Sequence, residues 1–347
     1  MLNNFFILII FFFYLSGIYS QDAVFTRFNS NPLYTSATLT GAFNGKYRVG
    51  TSIRRQWENI VEGSSYSTKT VFADTRFNFT KKDYFSLGII FWDDISGANR
   101  LKLGSASGLL GISYAKHLYQ NKFKEQNQYL VFGIQFGYGK RYFSTGNYIF
   151  GIQFDKSTQS VNPDIPNGEP ILNSRFYPDI NSGLMYYISN KQNSFYIGAN
   201  IKHINKANIS LLKTNDFRLY SLYSGIIGAE ISLNKNISML PSAIYNLQGP
   251  FRLLILGSSI RFRYFNEYNA FRIGAWAKLP NSLNGILLSE ISFSTGFEYN
   301  RFEIGISYDI TVSKLSNITG HRGAFELSLI YKWGDNPKNT PVNCPRF

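Results

Sequence analysis

The chain of 347 residues has one cysteine, Cys344, and three histidines. A single cysteine excludes a disulfide scaffold. Charge is sparse as well: Asp, Glu, Lys and Arg supply 16% of residues, well below the ~25% of an ordinary soluble domain. Beyond the N-terminus no apolar run approaches the ~20 residues that a spanning helix needs, which excludes a helical membrane protein. What the chain has in quantity is aromatic: 24 Tyr and 31 Phe help bring aromatics to 17%. That excludes a disordered chain. A composition rich in Tyr, Phe, Gly, Asn and Ser is that of an all-β protein, and of an outer-membrane barrel in particular.

Phe5 to Leu15 is a short apolar run followed by the small residues Ser16, Gly17 and Ser20. It fits a signal-peptide core and is too short to span comfortably. The expected division is therefore a signal peptide over 1–20 and a mature chain from Gln21. An N-terminal anchor is the alternative. No cysteine stands at the cleavage point, so a lipoprotein is not expected.

From there on the period is two. In Arg301–Lys314, Phe302, Ile304, Ile306, Tyr308, Ile310 and Val312 alternate with polar or small residues. Successive strand side chains point to opposite faces, so one face is apolar and the other polar. The same alternation marks 129–142, 195–203, 287–299 and 324–333, with less regular candidates between. The total is about fourteen strands, an even number, as single-chain bacterial barrels require. The predicted fold is a transmembrane antiparallel up-and-down β-barrel over 46–334, with a pre-barrel segment 21–45 and a tail 335–347. Expected short turns lie near Asn78–Asp83, Ser189–Asn193, Asn234–Asn236, Phe265–Asn269 and Asn300. Expected long connections lie near Asp93–Ser105, Phe143–Pro178, His203–Arg218, Leu279–Gly285 and Lys314–Arg322. Short turns belong in the periplasm and long loops outside, so both strand termini, and the tail, are expected on the periplasmic side. Tyr84, Phe85, Tyr264, Phe265, Tyr299, Tyr331 and Trp333 are expected in interfacial girdles.

The mature start Gln21-Asp22-Ala23-Val24-Phe25-Thr26-Arg27-Phe28 runs into Asn31-Pro32-Leu33-Tyr34, then Arg54-Arg55-Gln56-Trp57. Phe176-Tyr177-Pro178-Asp179, Leu240-Pro241-Ser242, Gly305-Ile306-Ser307-Tyr308-Asp309 and the closing Cys344-Pro345-Arg346-Phe347 follow. This ordered set resembles the PorP/SprF family of Bacteroidetes outer-membrane proteins over essentially the whole mature chain. The resemblance implies no chemistry and no cofactor. It implies a part in type IX secretion or gliding motility. The implied partners are a secreted surface protein or adhesin and periplasmic or lipoprotein components of the secretion system, with outer-membrane lipid around the barrel. The other class left open is a channel for small or apolar solutes, and a third, weaker one is a membrane-embedded hydrolase.

Sharper chemical readings fare poorly. His117, His203 and His321 lie far apart with no ligand spacing, so no metal is expected. Ser113 and His117 share a strand face but lack an acidic partner and a nucleophile turn. Gly133, Gly137, Gly139 and Lys140 miss phosphate-loop spacing, and these glycines are expected to permit close packing in a narrow lumen. The net +14 is scattered and export is expected, so no nucleic acid is expected; contact with acidic lipopolysaccharide, acidic partners or lumen salt bridges suits the charge better. Candidate partner-binding residues sit where a bare barrel needs nothing. They are Phe25, Phe28 and Tyr34 in the N-terminal segment, Trp57, Asp164 and Asn167 in the longest loop, and Arg346 and Phe347 in the tail. Phe25, Phe28, Leu33 and Tyr34 need burial, which favours a plug in the periplasmic mouth over a flexible lead-in.

Overall fold

The alternating segments pair each with its chain neighbour, antiparallel throughout, and the last returns to the first. The computed structural model describes residues 21–58, 66–80, 82–98, 101–121, 126–143, 151–155, 157–162, 164–165, 172–190, 192–213, 216–264, 269–282 and 285–334. Among them fourteen strands form the wall. They are β1 (Tyr47–Gln56), β2 (Tyr66–Asn78), β3 (Tyr84–Ala98), β4 (Leu101–Asn121), β5 (Gln126–Phe143), β6 (Ser174–Ser189) and β7 (Ser194–Lys202). The circuit continues through β8 (Leu222–Ser232), β9 (Ile237–Gln248), β10 (Phe251–Arg263), β11 (Ala270–Ser282), β12 (Glu290–Tyr299), β13 (Phe302–Thr311) and β14 (Arg322–Trp333). The seam runs from Tyr47↔Trp333 to Gln56↔Ala324. Closure leaves no sheet edge around the wall, the condition for strands to cross a bilayer.

The two faces divide as the alternation predicts. On β13, Phe302, Ile304, Ile306 and Tyr308 point outward and are 41% to 50% exposed, while Glu303, Ser307, Asp309 and Thr311 are buried within. Outward Tyr331 stacks between Phe302 and Trp333, and Trp333 on Tyr47, giving an aromatic girdle at the end that carries both strand termini. We call this the terminal end and its opposite the far end. Tyr84 is a correction: it faces inward, 1% exposed, with its hydroxyl 3.1 Å from that of Tyr187. Phe265 lies outside the described residues.

Two expected long connections are largely strand. β3 and β4 run on to Ala98 and from Leu101, paired Asp93↔Ala106 and Gly97↔Lys102. Gly, Ser and Ala there carry too little hydrophobic contrast to show a period. β11 likewise reaches Ser282, with Asn281 opposite Ile286. β6 begins at Ser174 and includes Pro178; β7 pairs only from Ser182 onward, so the missing proline N–H lies where β7 asks for no donor. A register shift between Tyr308 and Ile310 sets Gly323 and Ala324 against Asp309 alone, a bulge in β14 where the absent Gly323 side chain makes room for the Asp309 carbonyl.

The core is inside the barrel. Residues 25–43, from Phe25 to Phe43, pack against inward side chains and are almost all buried.

Candidate functional site

The segment from Gln21 to Gly45 folds as a short irregular plug. Pro32 opens a single helical turn, Pro32–Thr35, at the position where its missing N–H costs nothing. The Thr35 hydroxyl donates to the Phe28 and Asn31 carbonyls, and Ser36 Oγ accepts from the Thr38 N–H. Main-chain turn bonds from Ser30–Arg27 to Phe43–Gly41 hold the segment internally, and many of the polar groups they leave over are satisfied by the wall.

That satisfaction occurs at four levels. At the far end the Asp22 carboxylate receives His203 Nε2 at 3.0 Å and Gln248 Nε2 at 3.0 Å, with Lys202 Nζ at 3.7 Å; the Asp22 N–H donates back to Gln248 Oε1. Asp179 holds the other side of the imidazole at 2.8 Å. Burial opposes charge on both partners, yet the pair prevails: Asp22 is held well below the usual carboxylate range and His203 is pushed up to about 10. His203 itself stands in the left-handed region at φ 56°, fixed through its N–H to Asn181 and its carbonyl to Ser221.

One level down, the Thr26 and Arg27 N–H groups donate to Glu326, and Thr26 Oγ1 donates to Asp309. The same two carboxylates receive Arg54 from β1, and Asp309 also receives Lys278 from β11 at 2.6 Å. At mid-height Asn31 accepts from Thr70, the Leu33 carbonyl accepts from Gln135, and Phe28 meets Trp276 edge-on. At the terminal end Arg48 grips Asp74 at 2.6 Å and the Leu39 carbonyl at 3.0 Å, while Asp74 takes the Gly41 N–H. Arg48 also lies 4.5 Å over the Phe43 ring.

Inward glycines clear the path. A Cβ on Gly133 would lie 2.5 Å from the Ala37 carbonyl, one on Gly88 would lie 2.8 Å from Leu33, and one on Gly305 would overlap the Arg27 guanidinium. The glycine-rich face of β5 is thus a plug-bearing surface. The plug extends further than the mouth: it runs from the terminal end at Phe43 to the far end at Asp22.

Of the expected partner residues, Phe25, Phe28 and Tyr34 are brought together inside, with Phe25 and Tyr34 edge-to-face at 5.4 Å and Lys202 4.0 Å above the Tyr34 ring. They are wall contacts in the folded chain. Trp57 ends β1 at φ 54° and meets Tyr66 edge-on. Asp164 is exposed, its N–H on Asn162. Asn167, Arg346 and Phe347 lie outside the described residues. Ser113 Oγ donates to the Thr40 carbonyl and His117 Nε2 contacts Asn127, so the two are engaged separately. Among the described residues no group of three His, Cys, Asp or Glu is placed to hold a metal. Sequence reasoning missed the Asp22–His203–Asp179 cluster, whose members are 181 and 24 residues apart.

Between plug and wall little space remains. One cavity of about 30 Å³ lies beside Val24, Phe28 and Ile255, and another of about 30 Å³ beside Arg27 and Arg272. Each has room for no more than a water or two.

A family model described as type IX secretion system membrane protein PorP/SprF matches residues 18–331. No curated protein matches the chain. Among solved structures, the Ralstonia pickettii toluene transporter TbuX is similar at a TM-score of 0.46 and 8% identity, with 86% of this chain and 90% of that chain covered. The Pseudomonas putida toluene transporter TodX gives 0.46 and 8%, covering 91% and 99%. The CymD monoaromatic hydrocarbon channel gives 0.48 and 12%, covering 90% and 95%.

Proposed function

Since the chain belongs to the PorP/SprF family of type IX secretion system membrane proteins, and its wall is that of an outer-membrane barrel, we propose that it is a non-enzymatic accessory of protein secretion. In this role it supports export or surface anchoring of a secreted protein such as a gliding adhesin. The observation that carries the proposal is the filled lumen: the plug is bonded at four levels and leaves cavities of about 30 Å³. A conduit for small or apolar solutes needs a continuous path, and the seated plug blocks one. The working surfaces are then the rims and loops. By turn length the terminal end, with its turns at Asn190–Asn193 and Asn234–Ile237, faces the periplasm.

Two measurements test this. The purified full chain in planar bilayers is expected to show no stable conductance, and affinity capture from cells is expected to recover a specific secreted or secretion-system protein. Steady conductance without such recovery would make it a channel. For orientation, Cys344→Ser removes the native thiol. On that background Asn317→Cys is expected to label with an impermeant reagent on intact cells, and Asn234→Cys only after permeabilisation. The reverse pattern would invert the barrel.

A further inference from the structure

The outward face of the barrel is almost free of charge, and its exceptions are not spread evenly. Among the described residues, no charged side chain points outward from β6 to β9 or from β11 to β13. On the remaining strands the outward charges are Arg55, Lys69, Asp93, Lys102 and Lys140 on β1 to β5, Lys116 on β4, Arg252 on β10 and Arg322 on β14, opposite outward Ile310. Lys116 is at the terminal end and bonded to Asp83 at 2.9 Å. Five of the eight therefore share one sector at the far end, four of them cations, with Arg322 on the adjoining β14.

The strand register places them. Lys69 on β2 is opposite Asp93 on β3, Asp93 is opposite Ala106 on β4, and Ala106 is opposite Lys140 on β5. Lys69 and Lys140 are thus on one row, three strand spacings or about 14 Å apart around the wall. Arg55 stands one outward position above this row on β1, and Lys102 two above it on β4. Between the two lysines, Asp93 accepts from the Tyr142 hydroxyl at 2.7 Å. Lys140 Nζ lies 5.2 Å from the Phe176 ring and 5.9 Å from that of Tyr142. Arg55 meets Glu58 at 2.9 Å, with both side chains about half exposed, so that pair is weak and exchangeable.

A cation on the lipid-facing wall costs about 2–4 kcal/mol at the midplane and little at the interface. Such cations are tolerated at head-group depth. Below the row are outward Val71, Phe91, Leu110 and Phe136, each over 40% exposed and suited to acyl chains. Clustered Lys and Arg directly above an apolar wall are built for an anion that is tethered to hydrocarbon, and phosphate is the anion that such groups bind best.

We propose that Arg55, Lys69, Lys102 and Lys140 form a binding site for the phosphorylated head group of an outer-leaflet lipid, packed against β1 to β5. The assignment to the outer leaflet rests on the orientation proposed above. Aromatic rings at Phe176 and Tyr142 fix Lys140, and Asp93 keeps the cations apart in two places, matching a head group with more than one phosphate.

Native mass spectrometry of the full chain in detergent tests the site, with a bisphosphorylated lipid A, its dephosphorylated form and inorganic phosphate as probes. The bisphosphorylated lipid is expected to be retained, and the double variant Lys69→Gln, Lys140→Gln to weaken retention at least tenfold. Arg252→Gln is expected to leave it unchanged. Both variants point away from the lumen, and unchanged heat-modifiable gel mobility certifies their folding. Equal retention by the double variant, equal retention of the dephosphorylated lipid, or displacement by inorganic phosphate at matched concentration would each overturn the proposal. A reversed thiol-labelling pattern would refute the orientation alone, because binding in detergent does not depend on it.

Discussion

Gly133→Ala isolates the fit between plug and wall with one methyl group. The new Cβ would lie 2.5 Å from both the carbonyl carbon and oxygen of Ala37 and 2.6 Å from the Thr38 nitrogen. All three are main-chain atoms, so no rotamer change relieves the clash. Relief requires the plug to withdraw by about 1 Å to restore ordinary contact near ~3.5 Å. Overpacking of this kind costs about 1–3 kcal/mol, of which the lost glycine flexibility in the unfolded chain offsets about 0.4–1 kcal/mol. A net loss of about 1–2 kcal/mol is expected. Gly88→Ala meets Leu33 Cδ2 and Thr40 Cγ2 at 2.8 and 2.9 Å, side-chain ends that can swing, so its loss is expected to be smaller. Gly225 faces outward with nothing within 4 Å of a new Cβ, and alanine there is expected to be neutral or stabilising by about 0.5–1 kcal/mol. The assay is urea unfolding of the reconstituted barrel by tryptophan fluorescence. Trp92 and Trp276 touch plug residues Tyr34 and Phe28, so the signal also reports the plug itself. If Gly133→Ala unfolds at the same urea concentration as Gly225→Ala, the close seating of the plug is refuted.

Three further outcomes are expected. Arg48→Met leaves Asp74 buried without its cation, and a loss of about 3–5 kcal/mol in the same unfolding assay is expected. Because His203 is raised from 6.5 to about 10 in the folded chain, its share of stability is complete below about pH 6.5 and is lost as pH rises through about 10. The wild type should therefore lose up to about 1.4 kcal/mol per pH unit across that window, a slope that His203→Gln should flatten. Ile304→Arg puts a charge toward lipid at a cost of about 2–4 kcal/mol near the midplane; Ser307, 1% exposed beside Glu326, has no room either. Ser307→Arg is therefore expected to fail heat-modifiability as severely as Ile304→Arg.

The alternation along Phe302–Thr311 decides by itself which side chains meet lipid, because a strand's two faces depend only on parity within ten residues. Strand number, order and the even count follow from the same local repetition, and so does the need of Phe25 and Tyr34 for burial. Where hydrophobic contrast fails, as in the Gly-Ser-Ala stretch of β4, the strand is invisible locally and is revealed by its pairing with β3 and β5. The interior is a different matter. Thr26 meets Glu326 across 300 residues, and Arg54 meets Asp309 across 255. Tyr84 faces inward with Ser86 and Ile90 by the parity of β3, and only there does its hydroxyl meet that of Tyr187 on β6. Contacts of this kind exist only once β14 has closed on β1, which brings both ends of the chain to one circumference. No local pattern encodes which of many inward polar groups will face one another across the lumen. Tertiary structure alone therefore decided that the N-terminal segment fills the barrel from end to end, that Asp22 ends in a cradle of Lys202, His203 and Gln248, and that the outward cations of β1 to β5 stand together.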